Sequence, residues 1–350
     1  MNKKAALIEF NTWHLECLDS QVLFLRKSGY DVVLVNDIRS KKHIEEKAVR
    51  CMCNCLFFDF KKVRSLITLQ KYINHSNFSD VIINTAQGNR MMLFCILPFL
   101  KRINVAGTLH NTHKLHSSLG QRFISRKVKR YYLLSPYLLS GVSGYKNLQF
   151  SVFSPVFFPE RHVTDIVKPY DELWACVPGY VEFHRRDYMF LIQAAGMINR
   201  TIPSGIKVKF VILGNSSKSD GPSFRQKVEE SGLQDMFTLF RDFIPHDTFM
   251  AYVMRSDVIL PLIHPDMPGS KAYTMYKISG SFTMAQTFKK TMLCHSMFRD
   301  IENFDYDALF YSSPLEFVEL ITRHQFNTDT KNPEVNGFEE NRLQYISLLD

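Results

Sequence analysis

The chain has 350 residues, 45% of them hydrophobic and 22% charged, which is enough for two soluble domains with a core each. Its longest apolar run, Met91 to Leu100, is bounded by Arg90 and Lys101 and too short for a membrane span. Glu9 interrupts the apolar run near the start, so no signal peptide is read and a cytoplasmic location is expected.

The first half alternates strand and helix patterns. Strands are expected at Ala5–Phe10, Asp31–Val35, Cys55–Phe58, Val81–Asn84, Val105–Leu109 and Tyr131–Leu134. Helices are expected at Leu15–Lys27, Lys41–Arg50, Val63–Ile73 and Asn89–Leu100. From 151 to 172 the helical period is lost and prolines appear, the composition of a linker. The alternation then resumes, with strands at Leu173–Val177, Lys207–Leu213, Phe237–Phe240, Val258–Leu262, Thr291–Cys294 and Ala308–Tyr311. The helices between and after them are Arg185–Asn199, Ser223–Ser231, Pro245–Arg255, Phe282–Phe288 and Pro314–Arg323. A final helix, Glu339–Leu349, is left free to pack on either domain.

This order implies βαβ units and parallel sheets. The fold class expected is α/β, two Rossmann-like, doubly wound domains facing a cleft. The domains are placed at residues 1–160 and 172–326, joined by a linker at 161–171 and followed by a tail at 327–350. Ligands of such folds sit at the carboxyl ends of strands.

Charge is uneven. Residues 1–165 hold 24 Lys/Arg against 11 Asp/Glu, and the remainder holds 19 against 23. An anionic partner for the first half follows: a membrane surface, a lipid-linked phosphate or nucleic acid. No nucleic-acid-binding module is recognised, so nucleic acid is not expected. The run Arg126-Lys127-Val128-Lys129-Arg130 suits peripheral contact with anionic headgroups, and equally a solvated face. The seven cysteines show no disulfide framework. Cys51, Cys53 and Cys55 alternate as free thiols packed on one strand face would, and no metal site is expected.

The most informative stretch is 257–294. An apolar run is followed by a loop with Lys271, Tyr273, Tyr276 and Lys277, then Ser279-Gly280-Ser281 at the start of a helix. A serine cap leaves backbone N–H groups free where the helix dipole is positive, and glycine admits a ligand close to them. Lys277 and Lys271 add charge suited to a diphosphate.

These segments together resemble the GT-B glycosyltransferases of the nucleotide-sugar-dependent group 1 type. The resemblance lies in Val177-Pro178-Gly179 with the basic loop after it, the strand ending at Gly214, the 237–262 segment, and the 277–294 loop and helix. It covers about 173–325. It implies a donor site built from Gly179, Arg185, Arg186, Arg241, Phe243, Lys271, Lys277, Ser279, Gly280 and Ser281. Arg241 and Phe243 would frame the base. Two glutamates usual in such enzymes are absent, their places falling near Tyr276 and Met284.

In the first half, His110 follows a strand and the resemblance favours it over His113 as the group that deprotonates an acceptor or contacts the donor sugar. His14 and Glu16 follow the first strand as further acceptor-side residues, with helix capping by Asn11 or Thr12 the plainer reading of that loop. Catalytic roles are therefore expected for His110, Lys277 and Arg185, with no cofactor besides the donor substrate. The expected function is transfer of a sugar from a nucleoside-diphosphate sugar to a glycan or lipid-linked acceptor, as in bacterial surface-polysaccharide assembly. The alternatives are a nucleotide-sugar epimerase of the same fold, or a relative without catalysis that binds glycan or a partner.

Overall fold

A computed structural model describes residues 3–45, 52–98, 103–155, 164–201, 207–323, 326 and 337–350. The chain divides into two units, Met1–Phe158 with Gly337–Asp350, and Pro159–Asn336.

The first unit begins β1 (Lys4–Glu9), α1 (Leu18–Lys27), β2 (Asp31–Asp37), α2 (Lys41–Glu45), β3 (Asn54–Phe58) and α3 (Val63–His75). It continues β4 (Asp80–Ile83), α4 (Asn89–Ile96), β5 (Asn104–Thr108), α5 (Lys114–Ser117), α6 (Leu119–Lys127), β6 (Arg130–Leu133) and β7 (Gln149–Val152). Its strands form one parallel sheet in the order β3-β2-β1-β4-β5-β6-β7.

The second unit begins β8 (Glu172–Pro178), α7 (Tyr188–Thr201), β9 (Lys207–Asn215), α8 (Gly221–Glu230), β10 (Phe237–Phe240) and α9 (His246–Arg255). It continues β11 (Val258–Ile259), α10 (Lys271–Met275), α11 (Gly280–Thr287), β12 (Thr291–His295), β13 (Ala308–Tyr311) and α12 (Pro314–Arg323). Its sheet is also parallel, in the order β10-β9-β8-β11-β12-β13. The last helix, α13 (Phe338–Ser347), belongs to the first unit, where the Tyr345 ring stacks on Tyr132 at 4.3 Å and Tyr132 Oη donates to the Tyr345 carbonyl.

Central strands of a parallel sheet are covered on both faces and so read as unbroken apolar runs. Ala5–Ile8 and Val81–Ile83 are fully buried, as are Ala175–Val177. Each large side chain removed from water there contributes about 1.5–3 kcal/mol. In each sheet the strand order reverses once, between β1 and β4 and between β8 and β11. Loops at such a switch point diverge and leave a crevice at the strands' carboxyl ends.

Several expectations need correction. Leu15–Cys17 is a 3-10 turn, and α1 starts only at Leu18. The strand expected over Val258–Leu262 stops at Ile259. Pro261 has no amide to donate, and Leu262 takes a left-handed φ of 52° although it is buried. Residues 271–275, read as loop, form α10. Helices α5 and α6 and strand β7 were not anticipated, and β7 reaches into the segment read as linker. Arg185 precedes α7 instead of lying within it. Cys53 lies just before β3, so the three cysteines do not share one strand face, and Cys51 lies outside the described residues. The ends of the helices expected at Lys41–Arg50 and Asn89–Leu100, and 161–163 of the linker, also lie outside them. No helix among the described residues is long and apolar enough to cross a membrane.

Candidate functional site

In the second unit, β8 ends at Pro178 and turns at Gly179, whose φ of 106° suits glycine. The Gly179 amide donates to the Leu213 carbonyl at 3.0 Å. A Cβ added to Gly214 would stand 2.3 Å from the Gly179 carbonyl oxygen, so these strand ends meet backbone to backbone.

The two neighbouring arginines do different work. Arg186 folds over the turn, Nη2 donating to the Pro178 carbonyl and Nη1 to that of Tyr180. It holds the shape of the glycine turn. Arg185 pairs with Glu182 at 2.8 Å and remains half exposed, able to reach an anion.

Asp187, which the sequence did not single out, ties three segments together. Its Oδ1 accepts the Phe190 amide at 2.9 Å, capping α7, and its own amide donates to the Leu262 carbonyl. Its Oδ2 accepts from His264 Nδ1 at 2.9 Å, and the other ring nitrogen of His264 lies 2.8 Å from the Tyr311 hydroxyl. Burial acts to raise the Asp187 pKa, but the bonds from His264 and the Phe190 amide hold it below the usual carboxylate range. His295, at the carboxyl end of β12, has its ring 5.3 Å from that of His264. Burial and His264 push its pKa down.

Helix α11 packs against β8 and starts at Gly280, two residues before the Phe282 expected. Ser279 is its N-cap, with Oγ accepting the Ser281 amide at 3.3 Å. Ser281 is 1% exposed, and its hydroxyl has no hydrogen-bond partner among the described residues. A Cβ on Gly280 would meet nothing within 4 Å, so the first residue of the helix faces open space. Lys277 Nζ lies 4.2 Å from the Tyr273 ring centroid, and Lys271 is exposed at the start of α10. Arg241 and Phe243 follow β10, and Phe243 is 82% exposed, so it is not a core residue. Tyr276 and Met284, where glutamates are usual, are both partly buried.

In the first unit, Glu9 ends β1 fully buried. Its carboxyl accepts from the Asn11 amide at 2.7 Å, from Asn84 Nδ2 at 2.7 Å and from the Thr85 hydroxyl at 2.5 Å. Burial outweighs these bonds and raises its pKa to about 6. Asn84, at the end of β4, also donates to the His14 carbonyl and accepts from Gln21, which in turn accepts the Tyr345 hydroxyl.

His110 follows β5, its amide donating to Gln87. Its Nε2 lies 2.8 Å from the Asn84 carbonyl, an oxygen that can only accept, so Nε2 carries the proton. Burial and the neighbouring His14 lower its pKa to about 3. The His14 ring stacks on it, and His14 Nδ1 lies 3.4 Å from Glu16 Oε1. Partial burial acts to raise the Glu16 pKa, but His14 holds it well below the usual range. His113 is tied instead to Ser117 of α5, whose hydroxyl reaches His113 Nδ1 at 3.1 Å.

The basic run at 126–130 divides. Arg126 lies over the Phe123 ring, Lys127 donates to the carbonyls of Cys95 and Leu97 at the end of α4, and Arg130 reaches Gln149 and the Leu349 carbonyl. It is no continuous patch.

No protein-family model and no curated protein matches the chain. Solved structures do. A glycosyltransferase from Rickettsia africae matches at 10% identity and a TM-score of 0.60, covering 100% of this chain and 96% of that one. The Anabaena protein HepE, in complex with UDP, matches at 13% and 0.60, covering 99% and 94%. A UDP-N-acetylglucosamine 2-epimerase from Rickettsia bellii matches at 12% and 0.56, covering 100% and 96%. At such identities the likeness speaks to the fold, and the fold is GT-B.

Proposed function

We propose that this chain is a glycosyltransferase that moves a sugar from a nucleoside-diphosphate sugar to a glycan or lipid-linked acceptor, in bacterial surface-polysaccharide assembly. The observation that carries the reading is the start of α11. A buried Ser281 hydroxyl without a partner among the described residues, the positive helix end, and open space at Gly280 suit a diphosphate. That one relative of this fold holds UDP supports a nucleotide as the ligand. Lys277, Lys271 and Arg185 would add charge against the leaving diphosphate without a metal, while Gly179 and Arg186 shape the adjoining turn. Arg241 and exposed Phe243 would flank the base.

On the acceptor side the geometry favours His14 over His110 as the base. His110 keeps its Nε2 proton on the Asn84 carbonyl and is a weak base. His14 has Glu16 at Nδ1 to orient it, and its side chain is 40% exposed. It would take the acceptor hydroxyl's proton as the oxygen bonds to the sugar and the sugar–diphosphate bond breaks. His110 then supports the His14 ring, and His113 stands further back.

A peripheral contact with anionic membrane is part of the proposal. Helices α3, α4 and α6 contain no acidic residue and expose Leu93, Ile96 and Leu119 beside Arg122 and Arg126.

The likeness to the R. bellii epimerase supports a second reading, isomerisation of a nucleotide sugar without an acceptor. The missing glutamates at Tyr276 and Met284 support a third, binding without catalysis. Thermal unfolding with uridine, guanosine, thymidine and adenosine diphosphates, beside Lys277→Ala, tests the proposal. At about a hundred times its dissociation constant, one diphosphate should stabilise the protein by roughly 2.7 kcal/mol, and less in the variant. No shift with any of them would turn the reading to the third. Isomerisation of the matching nucleotide sugar alone would turn it to the second.

A further inference from the structure

Trp13 is one of two tryptophans in the chain, and the two are placed oppositely. Trp174 is 6% exposed, with its indole N–H on Glu172. Trp13 is 68% exposed, in the loop that leaves β1 at the switch point of the first sheet.

The loop that carries it is pinned on both sides. Before it, the Asn11 amide is held by buried Glu9, and Arg90 Nη1 donates to the Phe10 carbonyl at 2.9 Å and to Asn11 Oδ1 at 3.3 Å. After it, the His14 carbonyl accepts from Asn84 Nδ2 and from the Cys17 amide, with His14 itself in the left-handed conformation at φ 60°. A side chain with this much apolar area is favoured in a core. Here a fixed backbone presents it to solvent instead. The proton-accepting groups beside it, His14 and Glu16, are those of the acceptor-side reading.

From this placement we propose that Trp13 is the stacking platform for a sugar ring of the acceptor, which makes the acceptor a glycan at its reacting end. The C–H face of a pyranose is weakly positive and apolar and fits the negative face of an indole, while its hydroxyls need polar partners at the rim. His14 and Glu16, which follow Trp13 in the same loop, supply such partners. The Glu16 carboxylate in the same loop also disfavours insertion into an anionic bilayer. The acceptor role rests on the glycosyltransferase reading; the binding of sugar by Trp13 does not.

The difference in fluorescence between the wild-type chain and Trp13→Phe isolates Trp13 without disturbing Trp174. The full chain is titrated at millimolar concentration with cellotetraose, maltotetraose, chitotetraose and mannotetraose, and separately with phosphatidylglycerol vesicles. A quench and blue shift of the Trp13 signal with at least one oligosaccharide is expected. Binding of that sugar by calorimetry should weaken about tenfold or more in Trp13→Ala, while the thermal response to nucleoside diphosphate is retained. No Trp13 response to any oligosaccharide, or a response to vesicles alone, overturns the proposal. A sugar response in a protein that binds no nucleotide would keep the platform and sink the transferase reading.

Discussion

His14 and His110 lie face to face, with ring centroids 3.6 Å apart and planes inclined by 12°. Two imidazolium ions cannot share that contact without strong repulsion, and burial adds to the cost. His110 is the one kept neutral, its pKa lowered to about 3 from 6.5. A histidine pKa depressed by folding contributes stability that is complete above the unfolded value of 6.5 and is lost as pH falls toward 3. Glutamine in its place can still donate to the Asn84 carbonyl but does not titrate. Between pH 6.5 and about pH 5, the wild type should therefore lose roughly 1.5–2 kcal/mol more stability than His110→Gln in urea unfolding. Glu9, with its pKa raised, acts in the opposite direction over that window, but in both proteins, so it drops out of the difference. Equal losses would mean that His110 does not stay neutral in the stack.

The same pair separates base from support. With His14→Ala, turnover should fall by about 10²- to 10⁴-fold at saturating acceptor, the usual contribution of a general base. With His110→Gln the loss should be smaller, since the ring supports His14 and holds no proton in flight. Steady-state kinetics of the two variants, with the nucleotide sugar identified by its diphosphate, decides this. A larger loss for His110→Gln would return the role of base to His110.

The sequence carried local signals well and distant ones poorly. Parallel strands were legible because both faces are buried, so β1, β4 and β8 read as apolar runs. The cap at Ser279 was legible because serine before Gly280 and Ser281 satisfies the helix's own amides. Helix α6 was hidden by its composition: Gly120 and five basic or polar side chains among its nine residues left little apolar period to see. The early end of β11 depends on the left-handed Leu262, which no pattern encodes. Arg185 and Arg186 are adjacent and alike in sequence, and only the turn at Gly179 sets them apart. The partners that give the site its electrostatics are far apart in the chain. His14 meets His110 across the sheet, and Asp187 meets His264 across 77 residues, so neither pairing had a local trace.

Asp187 offers a test of that second network. Alanine there removes the cap of α7, worth about 0.5–2 kcal/mol, and leaves the His264 Nδ1–H buried without an acceptor, worth about 1–3 kcal/mol. Urea unfolding of Asp187→Ala should show a loss of roughly 2–4 kcal/mol, and Tyr311→Phe a smaller one, since only the bond between His264 Nε2 and the hydroxyl is lost. A loss below about 1 kcal/mol for Asp187→Ala would show that the loop after β11 is held by other contacts.

The start of α11 gives a prediction in which stability and binding move apart. Most substitutions at a structural helix cap weaken the fold, and any ligand effect follows from that. Here the opposite is expected, because Ser281 buries a hydroxyl without a partner and Gly280 faces open space. Removing an unsatisfied buried hydroxyl relieves a cost of about 1–3 kcal/mol, so Ser281→Ala should unfold at a higher temperature, by roughly 2 °C or more. Gly280→Ala should be neutral or slightly stabilising, since alanine is the better helix former by up to about 1 kcal/mol and its Cβ clashes with nothing. Both should bind nucleoside diphosphate more weakly if the diphosphate sits at this helix start: the first removes a first-turn hydroxyl, and the second adds a methyl group at exposed Gly280. Thermal unfolding without ligand and calorimetric titration with diphosphate measure the two effects separately. A ligand-free protein destabilised by either change would make this a structural cap. Unchanged affinity in both variants would place the phosphates elsewhere, because a diphosphate seated on these amides cannot ignore a new methyl group at Gly280.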